Sequence, residues 1–254
     1  MKAKVKEMVT VEQLANMIDH TNLKAFADDA AFEKLCDEAK KYNFKMVAIN
    51  PAQTVRCKKK LEGSPVHVGA AIGFPLGQTT LECKIFETKD AIEKGADEID
   101  YVINVAELKN KNYDYIKKEM EEIVKICREA GKTSKVIFEN CYLTDDEKRK
   151  VAEIAKEVKP DFIKTSTGKV PVNATPETVY VICEALRQFH AQTGKMVGIK
   201  VAGGITKIQN AIRYLTIVKH ILGEQWLTPA YFRIGTSQLL EDVLKEMKTV
   251  KING

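Results

Sequence analysis

The chain has 254 residues, a length that suits one large domain or two small ones and is close to that of a β/α barrel. Its 40 basic residues nearly match its 35 acidic ones, so the net charge of +5 gives no indication of nucleic-acid binding. No apolar run approaches the roughly 20 residues that a membrane span requires. Six cysteines without a Cys-x-x-Cys pair predict a reduced, cytoplasmic protein, and four scattered histidines predict no metal site.

Capping signals mark the predicted helices. Thr10, with Gln13 three residues later, predicts a short N-terminal helix. Thr144 and Glu147 repeat this pattern, and Pro176 occupies a first-turn position that helices tolerate. The predicted helices cover about residues 10–17, 28–42, 52–61, 79–94, 113–130, 144–158, 175–189 and 206–221, and a last helix follows residue 237.

Short apolar runs between these helices predict strands. Strands that alternate with helices predict a parallel sheet, and eight such units at this length predict a single-domain (β/α)8 barrel, the TIM-barrel fold. An open doubly wound sheet is the structural alternative, but the Gly-x-Gly-x-x-Gly motif that would favour it does not follow the first strand. The predicted strands cover residues 18–23, 45–50, 66–72, 96–104, 135–140, 161–164, 196–201 and 231–234.

The sixth strand ends in a lysine. Lys164 follows the apolar pair Phe162-Ile163, where a buried strand would carry another apolar residue, and small hydroxyl-bearing residues and a glycine come next. Burial disfavours the charged form of a lysine and so lowers its pKa, and the neutral amine is a nucleophile toward carbonyl groups. The alternative is a lysine whose ammonium group extends from the strand end into solvent.

Two more charged residues lie in otherwise apolar strands, Asp100 in the fourth and Lys200 in the seventh. Because barrel active sites form at the C-terminal ends of the strands, we expect both to meet Lys164. A second ammonium nearby would lower the pKa of the first. The alternative is an ion pair that only stabilises the barrel. Asp19 and Thr21, at the end of the first strand, either join this polar cluster or form a surface turn.

Glycine-containing loops follow three neighbouring strands. Thr167-Gly168-Lys169 follows the sixth strand, Gly203-Gly204 the seventh and Gly235-Thr236-Ser237 the eighth. Glycines allow backbone amides to converge on an anion, and barrels bind phosphate in this region. The alternative is ordinary turn glycines. With the lysine, these loops predict an enzyme that binds a small phosphorylated carbonyl compound and reacts through an imine.

These motifs also carry a family resemblance. Over nearly its whole length the chain resembles the deoxyribose-phosphate aldolases, class I aldolases with a β/α-barrel fold. The matching segments are Asp19-His20-Thr21-Asn22-Leu23, Gly73-Phe74-Pro75, Gly95-Ala96-Asp97-Glu98-Ile99-Asp100, Phe162-Ile163-Lys164-Thr165-Ser166-Thr167-Gly168-Lys169 and Lys200-Val201-Ala202-Gly203-Gly204.

The resemblance implies reversible cleavage of 2-deoxy-D-ribose 5-phosphate to acetaldehyde and D-glyceraldehyde 3-phosphate, without a cofactor, in deoxyribonucleotide catabolism. It implies that Lys164 forms the Schiff base, that Asp100 is the acidic residue of a proton relay, and that Lys200 is the second lysine. It also implies a homo-oligomer, dimeric or tetrameric. The positions that it assigns to phosphate binding are Gly168, Lys169, Gly203, Gly204, Gly235 and Ser237.

The chain departs from the family pattern on the phosphate side. Thr206 stands where some members have arginine, and Gln238 stands where some have a second serine. The given sequence ends in Lys251-Ile252-Asn253-Gly254, where some members of the family carry a terminal tyrosine. Two other functions remain open. One is a class I aldolase for another phosphorylated sugar. The other is a non-catalytic sugar-phosphate binder, which would keep the glycine loops but need neither Lys164 nor Asp100.

Overall fold

The computed structural model describes residues 9–245. The C-terminal tail that was compared with the family lies outside this range. In the described part of the chain, none of the helices combines the length and the apolar character needed to cross a bilayer.

Eight parallel strands close into one barrel in which each strand pairs with the next along the chain and β8 pairs with β1. This confirms the predicted TIM barrel and excludes the open sheet. The strands are β1 Ile18–Asn22, β2 Met46–Ile49, β3 His67–Ile72, β4 Glu98–Val102, β5 Thr133–Ile137, β6 Phe162–Lys164, β7 Gly198–Ala202 and β8 Phe232–Thr236.

Helices connect the strands, as parallel pairing requires. Residues 240–245 are also helical, in agreement with a last helix after residue 237. Short 3₁₀ turns occupy Pro51–Gln53, Asn140–Tyr142 and Glu224–Trp226. The α-helices are α1 Val11–Ala15, α2 Asp29–Lys41, α3 Thr54–Lys60, α4 Leu81–Glu93, α5 Val105–Lys109, α6 Tyr113–Glu129, α7 Asp145–Val158, α8 Pro176–Thr193 and α9 Ile208–Leu222.

The capping signals in the sequence are confirmed. Thr10 and Gln13 form the reciprocal hydrogen bonds of a capping box at the start of α1, and Thr144 and Glu147 do the same at α7. Each box satisfies backbone N–H groups that have no partner inside the helix. The short N-terminal helix is therefore present as predicted.

Most element boundaries shift by a few residues from the predictions, and two differences have a clear local cause. Strand β5 runs from Thr133 to Ile137 rather than over 135–140, because Thr133 already pairs with β4 and Glu139 adopts a left-handed backbone with φ 51° that ends the strand. Helix α5 is not predicted. It forms because the Asn104 side chain accepts a hydrogen bond from the Glu107 amide and so caps one short turn after β4.

The two faces of the barrel strands have opposite character. Outward residues such as Ile99, Tyr101 and Ile163 pack against the helices in the apolar core. The alternating inward positions carry buried charged side chains, including Glu98 and Asp100 on β4. The interior of this barrel is therefore an ionic core enclosed by an apolar shell.

Candidate active site

The two lysines predicted from the sequence meet on one carboxylate. Lys164 ends β6 and pairs in register with Lys200 on β7, so both side chains enter the barrel at the same height. The Asp100 Oδ2 atom accepts a hydrogen bond from Lys164 Nζ at 2.8 Å and from Lys200 Nζ at 2.7 Å. All three residues are at most 3% exposed. The structure thus brings together the three residues that the sequence singled out.

A second layer of charges lies beneath this triad. Lys135 on β5 donates to Asp100 Oδ1 at 2.7 Å and lies 2.5 Å from Glu98 Oε2. Arg233 on β8 donates to Glu98 and, at 2.8 Å, to Asp19 Oδ1. We call these residues and the triad the barrel charge cluster. Its members are Asp19, Glu98, Asp100, Lys135, Lys164, Lys200 and Arg233.

Asp19 belongs to this cluster rather than to the open part of the site. It is the second residue of β1, not the end of it as expected, and it is fully buried. Its Oδ2 atom lies 2.6 Å from Lys200 Nζ, although the directed hydrogen bond of that ammonium goes to Asp100. Charge attraction from Lys200 and the hydrogen bond from Arg233 therefore hold Asp19 in place.

The cluster contains one more cation than carboxylate, since four basic groups face three acidic ones. Burial lowers the pKa of Lys164 to about 8; the carboxylate of Asp100 opposes this shift, while the charges of Lys200 and Lys135 add to it. Both causes that the sequence indicated, burial and the charge of Lys200, act in this direction, and burial is the larger one. When Lys164 loses its proton, the charges of the cluster balance.

Asp100 remains a carboxylate in this environment. Burial alone would raise its pKa, but the ammonium groups of Lys135, Lys164 and Lys200 more than offset this and hold the pKa well below its usual range. A carboxylate that accepts from three ammonium groups orients each of them. Asp100 therefore sets the position and direction of the Lys164 amine.

Above the triad lies a cavity of about 290 Å³ at the C-terminal ends of β6, β7, β8 and β1. Lys164 and Lys200 form its floor, and four loops form its walls. Asp19 and Asp100 are not on its surface; they lie below and contact the lysines. The predicted substrate-binding residues that line it are Thr21, Thr167, Gly168, Lys169, Gly203, Gly204, Gly235 and Ser237.

The cavity wall offers unused backbone donors. Within residues 9–245, the amides of Gly168, Gly204 and Ser237 donate to no other group of the protein. Gly203 is required by its surroundings, because its φ is 85° and a Cβ there would lie 2.4 Å from the Asn173 side chain. Converging free amides of this kind suit an anion such as phosphate.

The charge around the mouth also suits an anion. Lys24 and Lys169 join the two floor lysines on the cavity surface, and no carboxylate lines it among the described residues. Lys169 Nζ donates to the Leu23 carbonyl at 3.0 Å and so links the loop after β6 to the loop after β1. The two departures from the family pattern, Thr206 and Gln238, also line the cavity.

Sequence reasoning missed the lower half of the cluster. Lys135, Glu98 and Arg233 lie inside strands that were predicted correctly as strands, but only Asp100 was treated as buried there. The signal was available in the spacing of two between Glu98 and Asp100, which places both on the same face. Once Asp100 faces the barrel interior, Glu98 must face it too and needs buried cations.

Comparison with known proteins agrees with this geometry. The profile of the DeoC/LacD family aldolases matches residues 13–223. A curated relative from Lactobacillus acidophilus, named deoxyribose-phosphate aldolase, is 54% identical over 210 residues, which are 83% of this chain and 84% of the relative. A relative of the same name from Bacteroides thetaiotaomicron is 48% identical over 252 residues, 97% of this chain and 98% of the relative.

A solved structure gives the same result. The deoxyribose phosphate aldolase from Aeropyrum pernix, described as a unique tetrameric structure, superposes with a TM-score of 0.81 at 27% identity and covers 98% of this chain and 97% of that chain. The family profile extends over most of the barrel, and the matched range contains the positions of both lysines of its floor. The chain belongs to the DeoC/LacD family of aldolases.

Proposed function

We propose that this protein is a class I aldolase that reversibly cleaves 2-deoxy-D-ribose 5-phosphate to acetaldehyde and D-glyceraldehyde 3-phosphate, a step in deoxyribonucleotide catabolism. The single observation that carries the proposal is the buried Lys164 amine, held with Lys200 on the Asp100 carboxylate beneath a cavity of free amides. The names of the two curated relatives support the same substrate.

The reaction begins at Lys164. Its neutral amine attacks the C1 aldehyde of the open-chain sugar, and the resulting carbinolamine takes up a proton and loses water to give an iminium ion. Lys200, an ammonium on the same carboxylate, is the nearest proton donor on the cavity floor. The iminium keeps one positive charge at this position, so Asp100 retains its partner.

Carbon–carbon cleavage uses the iminium as an electron acceptor. The hydroxyl at C3 loses its proton, the C2–C3 electron pair moves toward the iminium to form an enamine, and C3 becomes the aldehyde of D-glyceraldehyde 3-phosphate. Water takes this proton and passes it to Asp100 through Lys200, whose ammonium lies between Asp100 and the cavity. Because its pKa is held well below the usual range, Asp100 passes the proton on rather than storing it. Protonation of the enamine at C2 and hydrolysis then release acetaldehyde and regenerate the amine.

The far end of the substrate would occupy the glycine loops. Amides of Gly168, Gly204 and Ser237 supply hydrogen bonds to the phosphate oxygens, and Lys169 supplies a positive charge. These contacts fix the distance between the phosphate and C1. Binding energy from the phosphate thereby orients the aldehyde toward Lys164.

Reductive trapping tests the proposal directly. Incubation with 2-deoxy-D-ribose 5-phosphate should release acetaldehyde, and borohydride added during turnover should fix a covalent adduct that peptide mass spectrometry locates on Lys164. An adduct on Lys169 or Lys200 instead would contradict the assigned roles. Turnover of a different phosphorylated sugar in a substrate panel, without turnover of this one, would favour an aldolase of other specificity.

The pH dependence follows from the pKa of Lys164. Because the nucleophile is the neutral amine, kcat/KM should rise with pH as Lys164 loses its proton, with a midpoint near the pKa of about 8. The measurement is a kcat/KM profile in buffers of constant ionic strength. A rate that falls as pH rises through this region would mean that the protonated lysine is the active form.

We also propose a cytoplasmic homo-oligomer, dimeric or tetrameric. The tetrameric relative from Aeropyrum pernix supports the assembly, and six free cysteine thiols support a reducing compartment. Phe26, Leu76 and Phe86 are each more than two thirds exposed, as expected for surfaces that a second copy covers.

A further inference from the structure

Glu139 is a buried carboxylate outside the barrel charge cluster. It is 2% exposed, and among residues 9–245 it forms no ion pair with a lysine or arginine. Its backbone is left-handed, with φ 51° and ψ 62°. The other non-glycine residues of the described chain with positive φ, Asn43, Lys111 and Lys159, all lie at the ends of helices, where this conformation is common. Glu139 instead follows a barrel strand.

Both carboxylate oxygens of Glu139 bind one residue of the glycine loop after β6. The Thr167 amide donates to Oε1 at 3.2 Å, and the Thr167 hydroxyl donates to Oε2. The same hydroxyl oxygen accepts from the Lys169 amide at 3.0 Å. A chain of hydrogen bonds therefore runs from Glu139 through Thr167 to Lys169.

These bonds decide which groups of the loop remain available. They occupy the amides of Thr167 and Lys169, and they leave the Gly168 amide between them as a free donor on the cavity surface. Glu139 does not line this cavity. It lies behind Thr167 and borders a separate depression of about 280 Å³. Its effect on a ligand in the cavity must therefore pass through Thr167.

The hydrogen bonds from Thr167 are the direct polar contacts of the buried Glu139 carboxylate. Burial raises the pKa of Glu139, and the two hydrogen bonds from Thr167 and the charge of Lys164 oppose the rise. A buried carboxylate behind an anion-binding loop is unfavourable for an anion by charge alone. The hydrogen bonds from Thr167 to Glu139 order the loop, and this ordering offsets the unfavourable charge.

We propose that Glu139 is a positioning residue that fixes Thr167 so that the Gly168 amide and the Lys169 side chain are ordered for phosphate. Glu139 thereby determines the preference for phosphorylated over unphosphorylated aldoses. This inference rests on the proposed function. The ligand class that Glu139 helps the protein to bind is a phosphate monoester at the loop of residues 167–169.

The test compares Glu139→Gln with the wild-type protein on two substrates. Glutamine keeps the shape and one acceptor for the Thr167 amide, but its NH₂ group cannot accept from the Thr167 hydroxyl. KM for 2-deoxy-D-ribose 5-phosphate should rise by about tenfold with little change in kcat. The kcat/KM for 2-deoxy-D-ribose, which lacks the phosphate, should stay within about twofold. Thr167→Val, alone and combined with Glu139→Gln, should show that the two losses are not additive.

Glu119→Gln serves as the control for general destabilisation. Glu119 is also a fully buried carboxylate, but it binds Lys84 and the Asn104 amide rather than the glycine loop. This variant should lower the Tm and leave the ratio of the two kcat/KM values unchanged. If Glu139→Gln lowers kcat/KM equally for both substrates, or leaves KM for the phosphorylated sugar unchanged, the inference is wrong.

A measurement without turnover separates this inference from the proposed function. Inorganic phosphate should raise the Tm of the wild-type protein, and the rise should be smaller for Glu139→Gln at the same phosphate concentration. A wild-type protein that binds phosphate but does not cleave 2-deoxy-D-ribose 5-phosphate would contradict only the proposed reaction. Equal phosphate stabilisation of both proteins, or none of either, would overturn the role of Glu139.

Discussion

Lys164→Met should lower the turnover of 2-deoxy-D-ribose 5-phosphate by about ten-thousand-fold or more, because no other group can form the iminium at that position. Methionine has a similar length and fills the same space without an amine. The variant should also fold, since removal of one cation leaves three basic groups facing three carboxylates in the barrel charge cluster. The loss would therefore report chemistry rather than unfolding.

The measurement is acetaldehyde release at saturating substrate, with Tm recorded for each protein. Lys117→Met is the matched control, because Lys117 is a partly exposed lysine on α6 that pairs with Glu157, and neither residue lines the cavity. It should keep full activity. If Lys164→Met retained a tenth of the wild-type rate, Lys164 would not be the essential nucleophile. If the wild-type protein bound the sugar phosphate without cleaving it, a binding function would replace the enzyme.

Arg233→Met should destabilise the protein by about 3–5 kcal/mol, because it removes one partner of a buried ionic network and leaves the buried Asp19 carboxylate without its hydrogen-bond donor. Arg233 is 2% exposed and donates to both Asp19 and Glu98. A loss of this size is a large part of the roughly 5–15 kcal/mol by which domains are stable. The measurement is the free energy of unfolding in urea.

The paired variant Arg233→Met/Glu98→Gln separates charge from packing. It removes a carboxylate together with the guanidinium, so it should be more stable than Arg233→Met alone. A double variant that is no more stable than Arg233→Met would indicate that the lost charge pair with Glu98 is not the cause, and that packing of the guanidinium over Phe162, 5.1 Å from the ring centre, is the main contribution of Arg233.

The barrel was predictable because its signals are local. Capping residues such as Thr10 and Thr144 and the alternation of apolar runs with amphipathic segments fix where each element begins, and parallel pairing follows from that order. The boundary of β5 was not predictable, because Val136 to Phe138 continues the apolar run. Only the left-handed backbone of Glu139, whose side chain binds Thr167 in the loop after the neighbouring strand β6, ends the strand.

The upper half of the candidate site was also predictable, since Lys164 and Lys200 interrupt apolar strands at matching positions. In the lower half, the spacing to Asp100 made Glu98 predictable. Its partners were not, because Lys135 and Arg233 are typical of the solvent face of a strand in a lysine-rich chain. Their burial depends on a balance of charge across six strands, which no local pattern records. The same holds for Glu139, whose partner Thr167 is 28 residues away.

Dissolved salt should act unequally on the two ends of this site. The glycine loops and Lys169 meet an approaching dianion in water, where mobile ions weaken attraction beyond about 8 Å at physiological ionic strength. The amine beneath them is sealed among buried partners that such ions do not reach. Higher salinity should therefore weaken binding of the sugar's phosphate group, while the reactivity of the Lys164 nitrogen stays unchanged.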